Sequence, residues 1–175
     1  MNRCVALISR HSACWRGAVF VAVFTALQLG WEALRGTLFE YVLIHDLTIQ
    51  PAAFLINQFT PDIHAQAMQF NLQARGGGLN IRNGCEGLEV LFLLWTAFAV
   101  APLQWRSRLL GLLIGMFVVF VVNQLRILVL FYAYRLNHAW FDPLHASITP
   151  IVVVLLVTAY FYTWLFIAKQ HADAA

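Results

Sequence analysis

Charged residues are scarce in this chain of 175 residues: Asp, Glu, Lys and Arg make up 11%, against about 25% in an ordinary soluble domain. Hydrophobic residues make up 61%, and a chain of this size cannot hide that much apolar surface in one core. This composition excludes a soluble enzyme, a disordered chain and a nucleic-acid-binding domain. It predicts an integral membrane protein whose apolar surface is partly covered by lipid.

Cysteine is also scarce, and the positions of Cys4, Cys14 and Cys85 exclude several kinds of site. An odd count disfavours a disulfide framework, and without a CxxC pair a thiol–disulfide carrier is disfavoured. The sequence has no GxSxG elbow of a serine hydrolase, and its glycine triplet at 76–78 lacks the Lys-Ser/Thr of a phosphate loop. No Cys or His spacing resembles a metal site, so neither a metal nor a cofactor is predicted.

Four apolar runs approach the ~20 residues that a helix needs to span a bilayer. They cover roughly residues 17–34, 88–103, 109–131 and 148–168. We interpret the first as an uncleaved anchor and not a signal peptide, because bulky residues follow it where a small-x-small cleavage site would stand. The sequence therefore predicts an all-α, multi-pass helical bundle that forms a single membrane domain over residues 1–175.

Residues 35–86 connect the first two spans and are too polar to cross the membrane. Within them, residues 48–59 predict a short helix on the membrane surface or against the bundle, with Thr48 as its cap and Pro51 in its first turn. Farther on, apolar and polar residues alternate on both sides of the glycine triplet over residues 70–81. This alternation predicts a small β-hairpin.

Basic residues near the span ends predict the orientation of the bundle. One side carries Arg3, Arg10, Arg16, Arg106, Arg108 and Lys169 in short segments. The other side carries Arg35, Arg75, Arg82 and Arg135. By the positive-inside rule, we expect both termini in the cytoplasm and the connection 35–86 outside.

In this topology three chemically interesting residues, far apart in the sequence, reach the same depth. Cys85 and His145 come just before the outer ends of the second and fourth spans. Arg126 lies about 27 Å along the third helix from Arg108, which is close to the ~30 Å thickness of the hydrocarbon core. Each residue alone has an ordinary structural explanation, but a cation inside a span is costly and by default indicates function.

A thiol, an imidazole and a guanidinium together suit acyl transfer through a thioester. The thiolate of Cys85 would be the nucleophile, and the dipole of the helix that begins nearby favours the anion. His145 could take the thiol proton and return it to a leaving amine. Arg126 could stabilise the oxyanion of the tetrahedral intermediate or hold the substrate carbonyl.

Three further residues are candidates for supporting roles. Gly87 follows Cys85 closely and leaves room for a substrate backbone. Glu89 comes four residues after Cys85 on the predicted helix, and we expect it to form an ion pair with Arg126. Asn123 comes one turn before Arg126 and could orient the guanidinium or bond to a neighbouring helix, and of these we favour the supporting role at Arg126.

These residues resemble the motifs of the exosortase/archaeosortase family. Residues 83–87, Asn-Gly-Cys-Glu-Gly, resemble its Cys-x-Gly box, and residues 123–127, Asn-Gln-Leu-Arg-Ile, resemble its Asn-x-x-Arg-Ile box inside a transmembrane helix. His145, shortly before the last span, resembles the third residue of the family's site. The resemblance covers about half the chain, residues 79–166. The chain departs from it in having four predicted spans where many members have about eight, and in having Glu86 where many have Ser or Asn.

The resemblance implies a membrane-embedded cysteine peptidase or transpeptidase of exosortase type, with Cys85, Arg126 and His145 as its catalytic residues. Its substrates would be proteins that end in a PEP-CTERM-like sorting signal: a short motif, a transmembrane helix and a basic cluster. It further implies a bacterial inner membrane protein that acts at the periplasmic face and accompanies exopolysaccharide production. The acyl acceptor stays open between water, an amine and a lipid.

Two other functions compete with this interpretation. The first is a non-enzymatic membrane subunit of an exopolysaccharide or protein export system, in which Cys85 is inert and Arg126 serves only an ion pair. The second is a small transporter, which ranks last because its polar residues should lie near the midplane of the membrane. Here the polar residues Cys85, Arg126 and His145 are predicted to gather at one edge of the membrane.

Overall fold

The computed structural model describes residues 2–81 and 84–173 and is built mainly of helices. The helices are α1 (Asn2–Leu34), α2 (Leu38–Tyr41), α3 (Gln50–Phe59), α4 (Leu88–Val100), α5 (Trp105–Leu136), α6 (His138–Pro143) and α7 (Thr149–Asp173). Two wider π-helical segments, Val42–Ile49 and Leu144–Ile148, precede α3 and α7, and a 3-10 turn, Pro61–Ile63, follows α3. The strands are β1 (Gln66–Met68), β2 (Asn71–Ala74) and β3 (Gly77–Asn80).

Among the described residues, three helical stretches are long and apolar enough to cross a membrane. They are Cys14–Leu34 within α1, Trp105–Leu136, which is α5, and His138–Gln170, which runs through α6 into α7. These helices are consistent with a multi-pass membrane protein. They overlap the first, third and fourth predicted spans.

The helix observed at the second predicted span is shorter than the predicted range 88–103. Helix α4 has 13 residues, or about 20 Å, and packs against α1, α5 and α7. It ends at Val100 because Pro102 disfavours a helical conformation for the residue before it, and Ala101 accordingly has extended backbone angles.

Helices α5 and α7 approach each other at the Gly111-xxx-Gly115 notch. A Cβ atom at Gly111 would lie 2.5 Å from Trp164 Nε1 and 2.6 Å from Phe98 Cε1, so no larger residue fits without movement. The Tyr160 hydroxyl of α7 also donates a hydrogen bond to the Gly111 carbonyl oxygen over 2.6 Å. The motif is therefore a packing contact between helices, as small-xxx-small pairs in membrane proteins often are.

The predicted helix 48–59 is part of a longer helical stretch, and Thr48 does not cap it. The Thr48 hydroxyl donates to the Leu43 carbonyl oxygen, five residues earlier, over 2.8 Å. Pro51 has no N–H to offer the Leu47 carbonyl, which weakens the α-helical hydrogen-bond ladder where the wider turns occur. Helix α3 packs against α5. Its buried side chains are Ala52, Ala53 and Ile56.

The predicted hairpin is present, with one strand more than the sequence indicated. Strands β2 and β3 pair antiparallel with Leu72 opposite Leu79, and β1 adds to the outer edge of β2. Leu72, Leu79 and Ile81 are buried in the same core cluster as Cys85 and Phe131 of α5. The sheet thus anchors the chain that leads to Cys85. β1 was missed because Gln66-Ala67-Met68 is too short to show an alternating pattern.

Replacing Gly111 by alanine should destabilise the protein by about 1–3 kcal/mol, the usual cost of overpacking. The matched control is Gly17→Ala in α1, where an added Cβ meets no atom within 4 Å. That control should be neutral or stabilising by up to about 1 kcal/mol, because alanine is the better helix former. Reversible unfolding in mixed micelles measures both. Equal stabilities for the two variants would contradict the close packing of α5 and α7 at Gly111.

Candidate active site

Cys85 lies in a turn, just before α4, that two glycines shape. Gly84 and Gly87 have φ angles of +96° and +77°, in the left-handed region that favours glycine. A Cβ atom at Gly87 would also lie 2.8 Å from Asn123 Cγ. The space at Gly87 is therefore occupied by a side chain of α5, where the sequence led us to expect a substrate backbone.

The turn brings the Cys85 thiol next to His145. The two side chains meet with Cys85 Sγ 3.5 Å from His145 Nδ1, and Cys85 is only 3% exposed. His145 is half-buried, and its ring stacks on Phe141 with centroids 5.4 Å apart and planes 7° apart. This stacking holds the imidazole in one orientation toward the sulfur.

Arg126 of α5 lies beside the same turn and is almost fully buried. Its guanidinium donates from Nη1 to the Gly84 carbonyl oxygen over 2.8 Å and from Nε to Thr149 Oγ1 over 3.2 Å. One cation thus joins the residue before the cysteine to the first residue of α7. The structure therefore brings together Cys85, Arg126 and His145, three residues that are up to 60 positions apart in the chain.

Thr149 is a site residue that the sequence analysis missed. Both its backbone N–H and its hydroxyl donate to the Leu144 carbonyl oxygen, the hydroxyl over 2.9 Å. Pro150 cannot donate to the Ala146 carbonyl, so the chain makes a wide turn here, on which His145 is carried. The available signal was a Thr-Pro pair at the start of an apolar span, five residues after Leu144.

Asn123 holds the cysteine turn, and Glu89 does not act as expected. Asn123 Nδ2 donates to the Cys85 carbonyl oxygen over 3.0 Å, so it positions the turn and not the guanidinium. Glu89 is exposed, and among the described residues Arg126 forms no ion pair with it. The expectation failed because α4 begins only at Leu88. Cys85 precedes the helix, so the four-residue spacing does not place it on a face shared with Glu89.

Burial raises the pKa of the Cys85 thiol above its ordinary value. The positive charge of Arg126 opposes this effect and lowers the pKa, and the negative charge of Glu86 raises it. Glu86 is held close because its Oε2 accepts a hydrogen bond from the Gly84 N–H over 2.7 Å. The loss of solvent is the largest of these effects, so the pKa of Cys85 stays raised in spite of Arg126, and the protonated thiol is favoured.

Comparison with protein-family models, with curated proteins and with solved structures finds no match to this chain. Asn83, the first residue of the motif around Cys85, lies outside the described residues. Within the part of the chain that the structure describes, no three His, Cys, Asp or Glu side chains gather as metal ligands would. What is assembled is a thiol with an imidazole in reach and a fixed cation alongside, a set whose chemistry suits acyl transfer.

Replacing Thr149 by valine should destabilise the protein by about 1–3 kcal/mol, because the buried guanidinium of Arg126 loses a hydrogen-bond partner. Thr149→Ser keeps the hydroxyl and should cost less. The matched control is Thr163→Val on the same helix, since the exposed Thr163 hydroxyl only donates to the Ala159 carbonyl oxygen. Unfolding in micelles measures all three. If Thr149→Val were no worse than Thr163→Val, the contact with Arg126 would be unimportant.

Alkylation of Cys85 by iodoacetamide should require a higher pH than alkylation of a free cysteine, whose pKa is about 8.5. The measurement uses a chain whose other two cysteines are replaced by serine. Replacing Glu86 by glutamine removes a charge that raises the pKa of Cys85, so the rate profile should move to lower pH. Glu89→Gln is the matched control and should leave the profile in place. A shift in the opposite direction for Glu86→Gln would contradict the electrostatic account.

Proposed function

We propose that this protein is a membrane-embedded cysteine peptidase or transpeptidase of the exosortase type. The observation that carries the proposal is the 3.5 Å approach of Cys85 Sγ to His145 Nδ1. Beside them, the Arg126 guanidinium donates a hydrogen bond to the carbonyl oxygen of Gly84, the residue before Cys85. The resemblance of the boxes around Cys85 and Arg126 to that family supports it. The proposed roles are nucleophile for Cys85, general base and acid for His145, and oxyanion or substrate-carbonyl binding for Arg126.

The raised pKa of Cys85 makes the base necessary. As the thiol attacks a peptide carbonyl carbon, its proton passes to His145 Nδ1 and a C–S bond forms. The carbonyl oxygen becomes an oxyanion, which Arg126 stabilises with its positive charge. The C–N bond then breaks, the leaving amine takes the proton from the imidazolium, and a thioester remains on Cys85.

The second half of the reaction releases the acyl group to an acceptor. A water, amine or lipid nucleophile attacks the thioester carbonyl carbon, and His145 removes its proton. The C–S bond breaks, and Cys85 regains a proton. Transfer to an amine or a lipid sorts the protein to a new anchor, and transfer to water simply frees it.

The proposed substrates are proteins with a C-terminal sorting signal of the PEP-CTERM kind. Apolar side chains are exposed on α5 and α7 close to the site: Leu125 and Val129 on one helix, and Ile151 on the other. In a membrane, this surface offers a place where the transmembrane helix of such a substrate can lie. Entry from lipid would then present the short motif to Cys85.

We further propose a four-span topology in a bacterial inner membrane, with the site at the periplasmic face. Arg106 and Lys169 line one groove at the end of the bundle where α5 begins. Arg126 is about 30 Å farther along α5. A basic end in the cytoplasm and a reactive end outside follow the positive-inside rule. Helix α4 would be a short additional span, the second in chain order, enclosed by the three longer helices.

Replacing Cys85 by alanine should abolish removal of a PEP-CTERM-type tail from a co-expressed reporter protein. The variant should insert in the membrane as the unchanged chain does. Cys14→Ala is the matched control, since Cys14 is exposed and lies in α1, and it should process normally. His145→Ala should slow processing by about 10²–10⁴-fold, the usual contribution of a general acid–base. Gel mobility of the reporter measures each.

Normal processing by Cys85→Ala would end the peptidase proposal. The export-subunit alternative makes the opposite prediction for a polysaccharide-secreting host. There, Cys85→Ala would restore secretion to a deletion strain as well as the unchanged chain does.

A further inference from the structure

A groove of about 700 Å³ lies where α5 begins and α7 approaches its end. Its walls are the connection from α4 at residues 102–104, the first turns of α5 and the stretch 164–169 of α7. The volume is within the usual range of small-molecule sites. The groove is separate from the candidate active site, because Arg106 in its wall is about 30 Å along α5 from Arg126.

Two cations line this groove without a counter-charge. Arg106 and Lys169 are both exposed in its walls. Neither forms an ion pair with a residue whose side chain the structure describes. No acidic side chain is among the described residues that line the groove. A negatively charged group can therefore approach both cations without meeting a carboxylate.

Other polar groups near the groove are used to hold its walls together. Arg108 Nη2 donates to the Ala101 carbonyl oxygen over 2.9 Å, which fixes the connection between α4 and α5. Trp164 Nε1 donates to the Ser107 carbonyl oxygen over 3.1 Å, which fixes α7 against α5. The walls are thus held by contacts that use neither of the two cations.

The charged and apolar parts of the groove follow one another with depth. Leu110 comes one turn after Arg106 on α5, and Leu165 comes one turn before Lys169 on α7; all four line the groove. Residues four apart share a face of a helix, and α5 and α7 run in opposite directions. Each leucine is therefore about 6 Å farther into the bundle than its cation. The groove is charged at its outer end and apolar farther in.

We propose that this groove binds an anionic phospholipid of the membrane, with its phosphate at Arg106 and Lys169 and an acyl chain along Leu110 and Leu165. A phospholipid in a bilayer has the same order, with its charged head at the surface and its chains deeper. Basic pockets between membrane helices suit such heads. A free phosphate would use only the charged end of the groove. The ammonium of a zwitterionic lipid would meet no carboxylate among the described lining residues.

Native mass spectrometry of the whole protein, released from detergent micelles, tests the proposal. The probe is dioleoyl phosphatidylglycerol, and dioleoyl phosphatidylcholine, which has the same chains and no net charge, is its control. The anionic lipid should bind roughly tenfold more tightly, because each basic group near an anionic head contributes about a fivefold gain. Glycerol phosphate, which has the head without the chains, should not compete at similar concentrations.

Charge variants locate the head of the lipid. Arg106→Gln and Lys169→Gln should each weaken binding of phosphatidylglycerol about fivefold. Arg16→Gln is the matched control and should leave the affinity unchanged. Arg16 is exposed on α1, is predicted on the same side of the membrane and does not line the groove, so this control removes the same charge elsewhere.

A steric variant locates the acyl chain. Leu110→Trp fills the apolar part of the groove from an exposed position and should weaken binding of phosphatidylglycerol. Leu113→Trp is its control, at an exposed position of α5 outside the groove. Cys85→Ala should bind the lipid as the unchanged chain does. Failure here and failure of the peptidase proposal are therefore distinguishable, since the groove requires α5 and α7 to lie in a membrane but does not require a nucleophilic cysteine.

Three outcomes would overturn the proposal. Equal affinities for phosphatidylglycerol and phosphatidylcholine would show that the charge of the head does not matter. An equal loss of affinity in Arg16→Gln and Arg106→Gln would show attraction to the basic surface as a whole. Competition by glycerol phosphate at concentrations similar to those of the lipid would make this a site for a free anion.

Discussion

The structure around the candidate site depends on the burial of one guanidinium. Arg126 is 9% exposed on an apolar helix, and a cation in such a place must be compensated by hydrogen bonds. Its described partners are the Gly84 carbonyl oxygen and the Thr149 hydroxyl, which belong to two other segments. Satisfying this one charge therefore brings the cysteine turn and the start of α7 together, and with them the thiol and the imidazole.

Consecutive polar residues on α5 extend the same principle. Asn123 and Gln124 each donate to a backbone carbonyl of a separate segment, at Cys85 and at Thr48. One stretch of α5 thus holds the cysteine turn, the π-helical segment Val42–Ile49 and the start of α7 through three side chains. Each of these three bonds joins a side chain of α5 to a different segment, so together they fix the position of the cysteine turn relative to both π-helical segments.

Wide helical turns occur twice in the part of the chain that the structure describes, with a similar local cause. In each, a threonine hydroxyl bonds a carbonyl five residues earlier, and a proline follows: Thr48 before Pro51, and Thr149 before Pro150. The proline removes a backbone donor, and the hydroxyl satisfies a carbonyl of the widened turn. The second turn carries His145, which approaches Cys85, and the first carries the Thr48 carbonyl oxygen, which accepts a hydrogen bond from Gln124. Irregular helix geometry therefore occurs where other segments meet the polar residues of α5.

The sequence by itself determined three helices that are long and apolar enough to cross a membrane, the hairpin, and the meeting of Cys85, Arg126 and His145. Hydrophobic runs, alternation and rare polar residues in apolar surroundings are local signals. The sequence did not determine the start of α4, so Glu89 was placed beside Arg126 when it is in fact exposed. Nor did it reveal Thr149, the role of Asn123 or the raised pKa of Cys85. Those depend on which carbonyl each donor reaches and on how much water is excluded, and only tertiary packing decides both.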